Sequence, residues 1–306
     1  MYLTYSSAPS RLRPHGVKMS RQMVPLGLIA GEGVFPLLVA RGARAAGRKV
    51  ICTAFDGIAW DDLKAECDEF HWVGVLRPGQ WARVLRRAGV NEAIMVGRVA
   101  KSKIYDRWRY FRYIPDWRGA KLIWRARRDR RPASLLGLVV DELGASGIQL
   151  IDSTQYCREH VVTPGVLTRR QPTESQWMDI RSGWTICQTV SRLDIGQSIA
   201  VVDSDIIAVE AVEGTDAMIE RAGRLCPVGG WTMIKVSNTH QDMRVDVPTI
   251  GTTTIEKLAA ARAGCLVLEA GKTVILEKQK VLELADRYKI AIVGYDGPPT
   301  GGAGKT

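Results

Sequence analysis

Three short segments in the second half of the chain set carboxylates beside glycines: Asp194-Ile-Gly-Gln-Ser198, Glu210-Ala-Val-Glu-Gly-Thr-Asp216 and Gln241-Asp-Met-Arg-Val-Asp-Val-Pro-Thr-Ile-Gly251. Each lies at the end of an expected strand, which is where open α/β sheets build their sites. Carboxylate oxygens ligate hard divalent cations, and glycine lets backbone amides approach a phosphate. Thr215 and Thr253 stand where helices should begin, so two positive helix N-termini are expected to face a bound phosphate. Asp246 is the centre of this reading. Alternation along Arg244-Val-Asp-Val247 puts the two valines on one strand face and Arg244 with Asp246 on the other. Asp246 can then ligate a metal or orient a water for attack on phosphorus, and the spacing does not separate these roles from a turn cap or an arginine pair. Glu213 and Asp216 are the next candidates for metal ligands, and Arg244 for a phosphate contact.

Two further segments invite a phosphate reading. Gly31-Glu-Gly33 follows a short apolar strand, but position 36 is Pro36, so the three-glycine dinucleotide fingerprint is incomplete. A nucleotide or sugar-phosphate contact at Gly31 and Gly33 is expected instead of a nicotinamide site. The tail Gly301-Gly-Ala-Gly-Lys-Thr306 imitates the end of a Walker loop, yet Pro299 occupies the position of its first glycine. Six cysteines and four histidines are scattered singly, which excludes zinc ribbons, H-E-x-x-H sites and a disulfide framework, and fits a reducing compartment.

The elements that must position these residues follow from periodicity. Strands at 26–30, 49–55, 70–75 and 92–96 alternate with helices that run to about 47 and over 79–88, the pattern of a parallel sheet covered by helices. A further helix is expected over 133–143. The second unit reads as helix 177–190, strands 199–202 and 206–212 turned around Asp203-Ser-Asp205, and helix 215–222. Strands 231–236 and 244–247 come next, then a helix over 255–262 opened by the capping-box pattern Thr253-x-x-Glu256. Strands 265–269 and 273–277, helix 279–288 and strand 290–294 complete it. The fold class is α/β with two domains: an N-terminal Rossmann-like parallel sheet over 23–148 and a C-terminal mixed α/β domain over 172–296. Residues 1–22 read as a flexible leader, 149–171 as the connection and 297–306 as a flexible tail. A chain of 306 residues exceeds what one core usually supports, which fits two domains.

The composition, 46% hydrophobic and 25% charged, is that of a globular protein. No apolar run approaches the roughly 20 residues that span a bilayer, and the first 22 residues lack the apolar core of a secretory signal. A net charge of +11 favours an anionic partner. From Arg107 to Arg131 arginine is mixed densely with Trp and Tyr. Such a mixture can stack on single-stranded nucleic acid, lie at a lipid headgroup interface, or form a solvated helix face with some aromatics in the core. No recognised nucleic-acid motif accompanies it.

LGLIAGEGVFP, SRLDIGQSIAVV, VEAVEGTDAMI, RVDVPTIG and LEAGKTVIL, in that order over about residues 24–296, resemble the UDP-2,3-diacylglucosamine pyrophosphatases of lipid A biosynthesis, the type unrelated to calcineurin-like phosphoesterases. The resemblance implies hydrolysis of a UDP-linked diacyl sugar lipid to UMP and 2,3-diacylglucosamine 1-phosphate, with Mg²⁺ or another divalent cation such as Mn²⁺. It also implies two α/β domains with the lipid between them, a homodimer, and a cytoplasmic protein held peripherally at the anionic inner-membrane surface, with no nucleic acid bound. Asp246 matches the aspartate whose loss removes activity in that family. Gln241, Arg244 and Thr249 fall in the same motif, while Asp194, Gly196 and Gln197 match a second and Glu213, Thr215 and Asp216 a third. Arg131-Pro-Ala-Ser-Leu-Leu136 and Gly97-Arg98 depart from the family's pattern, where Gly-Asp-Asp-Ala-Leu-Leu and Gly-Asn stand. These departures bear on substrate fit more than on the hydrolytic step.

Overall fold

The computed structural model of the protein describes residues 24–99, 114–128, 132–238, 244 and 247–297. Asp246, Gln241, the leader and most of the tail lie outside the described residues.

The first domain runs β1 (Pro25–Ala30), α1 (Val34–Ala45), β2 (Lys49–Phe55), β3 (Glu69–Val73), α2 (Pro78–Arg87), β4 (Glu92–Val96), α3 (Trp117–Ala126), α4 (Pro132–Ala145) and β5 (Gln149–Leu150). Its strands form a parallel sheet in the order β3-β2-β1-β4-β5. β1 and β2 are buried along nearly their whole length because helices cover both faces, which is why they read as continuous apolar runs. Apolar clusters lie on the two sides, one around Leu26, Leu28 and Val39 and one around Ile29, Ile51 and Leu85. The chain leaves β1 toward β2 and later returns to the other side for β4, so the crevice beyond β1 and β4 is a topological switch point.

The second domain runs β6 (Gly165–Val166), α5 (Glu174–Arg192), β7 (Ser198–Val202), β8 (Asp205–Val209), α6 (Thr215–Leu225), β9 (Thr232–Lys235), β10 (Thr249–Ile250), α7 (Thr252–Ala260), β11 (Cys265–Glu269), β12 (Val274–Ile275), α8 (Lys278–Arg287) and β13 (Ala291–Tyr295). A mixed sheet follows the order β6-β13-β11-β9-β7-β8. Its centre, β13-β11-β9, is parallel; β7 and β8 form an antiparallel hairpin at one end. β10 and β12 make a separate two-residue parallel pair. Val274 of β12 belongs to the first domain's core, with Val247 and Leu276 packed against it, so the domains share an apolar seam. Among the described residues no helix is long and apolar enough to cross a membrane.

Several local expectations need correction. The stretch read as the connection supplies a strand at each end, since Gln149 pairs with Glu92 and Val166 with Val293. The strand expected over 244–247 is replaced at Arg244 by a turn, and the described strand opens at Thr249, after Pro248, which has no amide hydrogen for a ladder. The capping box at Thr253 does not form: the N-cap of α7 is two residues earlier, at Gly251, with no side-chain cap. Thr215 likewise is the first residue of α6 and Gly214 is its N-cap.

The six thiols are free. Burial pushes Cys157, Cys187 and Cys265 up to about 12, and burial followed by the neighbouring Cys67 raises Cys52 well above its usual range. A thiol-disulfide reagent needs the thiolate, so at pH 8 the native protein should label quickly at Cys67 and Cys226 only, and at all six in denaturant. Rapid labelling of four or more native thiols would contradict this packing. An unfolded thiol ionises near about 8.5, so the stability held by these neutral thiols is complete below that pH and is lost as pH rises toward the folded values.

Candidate active site

At the switch point the Gly31 amide donates to the Val96 carbonyl (2.8 Å), and Glu32 and Arg98 exchange backbone hydrogen bonds of 2.9 Å each way. Gly31 and Gly97 meet backbone to backbone. A Cβ on Gly31 would stand 2.8 Å from the Arg98 carbonyl oxygen, and one on Gly97 would stand 2.7 Å from the Gly31 carbonyl carbon. Gly33 then turns the chain into α1 at a φ of 114°, with no side-chain cap. The opening amides of a helix have no intrahelical partner, so this end of α1 presents bare N–H groups and the positive pole of the helix.

The second domain brings a matching end to the same place. β10 runs into Gly251, and α7 starts at Thr252 without a side-chain cap. One cleft of about 520 Å³ is lined from both sides, by Gly33, Val34 and Arg98 of the first domain and by Thr249, Gly251 and Thr252 of the second. Each helix end carries roughly half a positive charge and Arg98 adds a full one; the carboxylates of Glu32 and Glu277 line the same cleft, with Glu277 paired to Lys280 at 2.5 Å. An anion with two phosphoryl groups is the ligand this arrangement suits.

A second polar cluster lies at the end of β9. Lys235 is only 5% exposed. Its ammonium donates to Ser198 Oγ (3.3 Å) and Thr215 Oγ1 (3.1 Å), and the Thr215 hydroxyl donates to Glu210 Oε1 at 2.8 Å. Glu210 Oε2 and Gln197 Oε1 are buried without a hydrogen-bond partner among the described residues. A Cβ on Gly196 would run into the Glu210 carbonyl, which brings the 194–197 loop against this cluster. Asp194, at a φ of 57°, accepts at Oδ1 from the Asn238 side-chain Nδ2 at 2.8 Å. Glu269, at the end of β11, accepts from the Ser237 amide at 2.7 Å and pairs with Lys272 at 2.8 Å. The chain leaves β9 through this cluster at Val236, Ser237 and Asn238.

The expected site residues therefore divide. Gly33 and Thr249 line the cleft, with Gly31 beneath it against Gly97. Asp194, Gly196, Gln197 and Thr215 gather around Glu210 and Lys235. Arg244 joins neither group: it lines a hollow with Asn91, Gly147 and Gln149, where β4 and β5 begin, at the opposite end of the strands from Gly31. Glu213 pairs with Arg221 at 3.0 Å and Asp216 with Lys257 at 2.5 Å. Among the described residues no group of three or more His, Cys, Asp or Glu is arranged to hold a metal ion. Gln241 and Asp246 lie outside the described residues.

Sequence reasoning missed Arg98 as a cleft residue and Lys235 as a buried charge. For Lys235 a signal existed: a lysine ending the run Thr232-Met-Ile-Lys235 in a buried strand needs partners, since lysine is almost never buried without them. For Arg98 the signal was its departure from the family's Gly-Asn, but nothing local in the sequence places it across a cleft from Gly251 and Thr252.

Residues 25–160 match the LpxI N-terminal domain and residues 163–293 the LpxI C-terminal domain. The chain is 31% identical over 287 residues to the UDP-2,3-diacylglucosamine pyrophosphatase LpxI of Caulobacter vibrioides, an alignment that covers 90% of this chain and 98% of that protein.

Proposed function

The chain belongs to the LpxI family, and we propose from that premise that it hydrolyses the diphosphate of UDP-2,3-diacylglucosamine to UMP and 2,3-diacylglucosamine 1-phosphate in lipid A biosynthesis. The observation that carries this reading is the cleft between the domains, where two uncapped helix N-termini and Arg98 line one space. In that reading the α1 and α7 amides and the Arg98 guanidinium hold the non-bridging phosphoryl oxygens. They stabilise the charge that builds there as a water oxygen bonds to one phosphorus and the bridging P–O bond breaks. Asp246 receives the proton of that water or ligates the metal.

Mg²⁺ or Mn²⁺ is the proposed cofactor. Mg²⁺ commonly takes one or two carboxylates, substrate phosphates and several waters rather than a full protein cage, so Asp246 with the diphosphate would hold it. Once bound, such an ion neutralises phosphoryl charge as a Lewis acid. Glu213 and Asp216 would have to leave Arg221 and Lys257 to join it. By family resemblance the protein acts as a homodimer at the cytoplasmic face of the inner membrane, a reading that the net charge of +11 supports.

The test is incubation of the purified protein with UDP-2,3-diacylglucosamine and Mg²⁺, with and without chelator. UMP and the sugar 1-phosphate are expected, and chelator should stop their release. Saturable binding of the substrate with no UMP would leave a lipid-binding protein and remove the hydrolase. Arg98→Ala should lower kcat/KM by about 10- to 100-fold, the worth of a charge-assisted hydrogen bond to phosphate, with thermal stability unchanged because the side chain is exposed. Unaltered kcat/KM would take Arg98 out of the site.

A further inference from the structure

Helix α3 presents an unusual outer face. Its inner side is Gly119, Leu122 and Ala126, all buried. A helical period of 3.6 residues brings Trp117, Lys121 and Trp124 into one stripe on the opposite side. Trp117 is 84% exposed and Trp124 60%, and the Arg127 guanidinium lies over the Trp124 ring at 4.4 Å. Two indoles this open to water on one helix face are costly on a free surface, since each carries a large apolar area.

The neighbouring surface is basic. A cleft of about 530 Å³ between α2 and α3 is lined by Arg83, Arg86, Arg87, Trp117 and Arg118, with Asp116. Asp116 is occupied as the α3 cap, accepting from the Gly119 amide at 2.8 Å and the Gln80 amide at 3.1 Å. Arg118 is occupied by Glu142 at 3.0 Å and by Ser146. Arg83, Arg86 and Arg87 remain exposed on the wall of the cleft. Arg86 and Arg87 also complement the negative end of α2, but that role fixes only their place on the helix and leaves the guanidinium groups open to water.

We propose that this face docks on an anionic phospholipid bilayer, with Trp117 and Trp124 at the acyl boundary and phosphate headgroups against Arg83, Arg86 and Arg87. Indole rings flanked by arginine and lysine suit the headgroup layer, where one part of the side chain is apolar and another wet. A second copy of this chain is a poor occupant, because a two-fold contact through the same patch would bring arginine against arginine. The inference rests on the membrane part of the proposed function and names the surface that would serve it; it does not involve the cleft between the domains.

The test is co-sedimentation with vesicles of phosphatidylglycerol and phosphatidylethanolamine, and with phosphatidylcholine alone, at low and high salt. The wild-type protein should bind the acidic vesicles and lose affinity as salt rises. Each basic group near an acidic leaflet is worth about a fivefold factor, so Arg83→Gln with Arg86→Gln and Arg87→Gln should weaken binding about 100-fold. Trp117→Ala with Trp124→Ala should weaken it roughly tenfold or more. Both variant sets should hydrolyse a short-chain, water-soluble substrate at the wild-type rate. Wild-type affinity of both sets for acidic vesicles would overturn the assignment of this face. Failure of the wild-type protein to bind acidic vesicles, with soluble substrate still cleaved, would overturn the membrane reading and leave the hydrolase intact. Loss of soluble-substrate cleavage in both sets would show that the face is not separate from the active site, and a dimer lost in the variants without vesicle binding would assign it to a second copy.

Discussion

Asp246→Asn should reduce kcat for UMP release by about 10³-fold or more, the range in which removal of a general base or of a metal's carboxylate anchor falls, while the protein remains folded. Asparagine keeps the shape of the side chain and removes its charge, so it separates chemistry from packing. The two roles left open for Asp246 predict different residues of activity. If the carboxylate ligates the ion, the variant's remaining activity should rise with millimolar Mg²⁺ or Mn²⁺, because the diphosphate can still recruit the cation. If it accepts the water's proton, added metal should do nothing, and the remaining rate should climb with pH as hydroxide replaces the base. Circular dichroism and the unfolding midpoint serve as controls. Wild-type turnover in this variant would remove Asp246 from the chemistry.

Lys235→Met carries the largest expected effect on stability, a loss of about 3 kcal/mol read from the denaturant midpoint of the second domain. The ammonium is buried and bonded to two hydroxyls, one of which holds Glu210. Methionine fills similar volume but leaves Ser198, Thr215 and the Glu210 carboxylate in a low-dielectric site without the positive charge that balances them. Lys235→Met combined with Glu210→Gln should therefore recover part of the loss, since the unbalanced carboxylate goes with it, and a double-mutant cycle should show coupling above about 1 kcal/mol. A single-variant cost under about 0.5 kcal/mol would mean that this charge plays no part in holding β9 against β7 and α6.

The first domain was largely legible because its central strands, β1 and β2, are buried on both faces. The run Leu26-Gly-Leu-Ile-Ala30 followed by Gly31-Glu-Gly33 has one sensible reading, strand into helix, and the helices at 34–45 and 78–87 follow from it. The ends of the second domain's helices were less legible. Thr253 with Glu256 matches a capping box in every residue type, yet Gly251 takes the cap because the chain enters α7 straight from β10. That difference leaves the start of α7 without a side-chain cap and turns its positive end toward the cleft. The strand at Arg244 was misread: alternation assumes an extended backbone, and that residue is a turn, with Arg244 lining a hollow where β4 and β5 begin. The pairing of Gly31 with Gly97, and the approach of Gly33 to Gly251, join positions about 66 and 218 apart in number. Neither leaves a local periodicity to read.

The claim on which the account depends is that one diphosphate bridges the N-termini of α1 and α7. Amide hydrogen exchange on the Asp246→Asn protein, with and without UDP-2,3-diacylglucosamine, measures it most directly. The account predicts slowed exchange at both Val34–Phe35 and Thr252–Thr254 in the same titration, with one shared affinity, and no change at the β4 and β5 starts beside Arg244. Protection at only one of the two helix ends, or at neither while the ligand is bound, would contradict it.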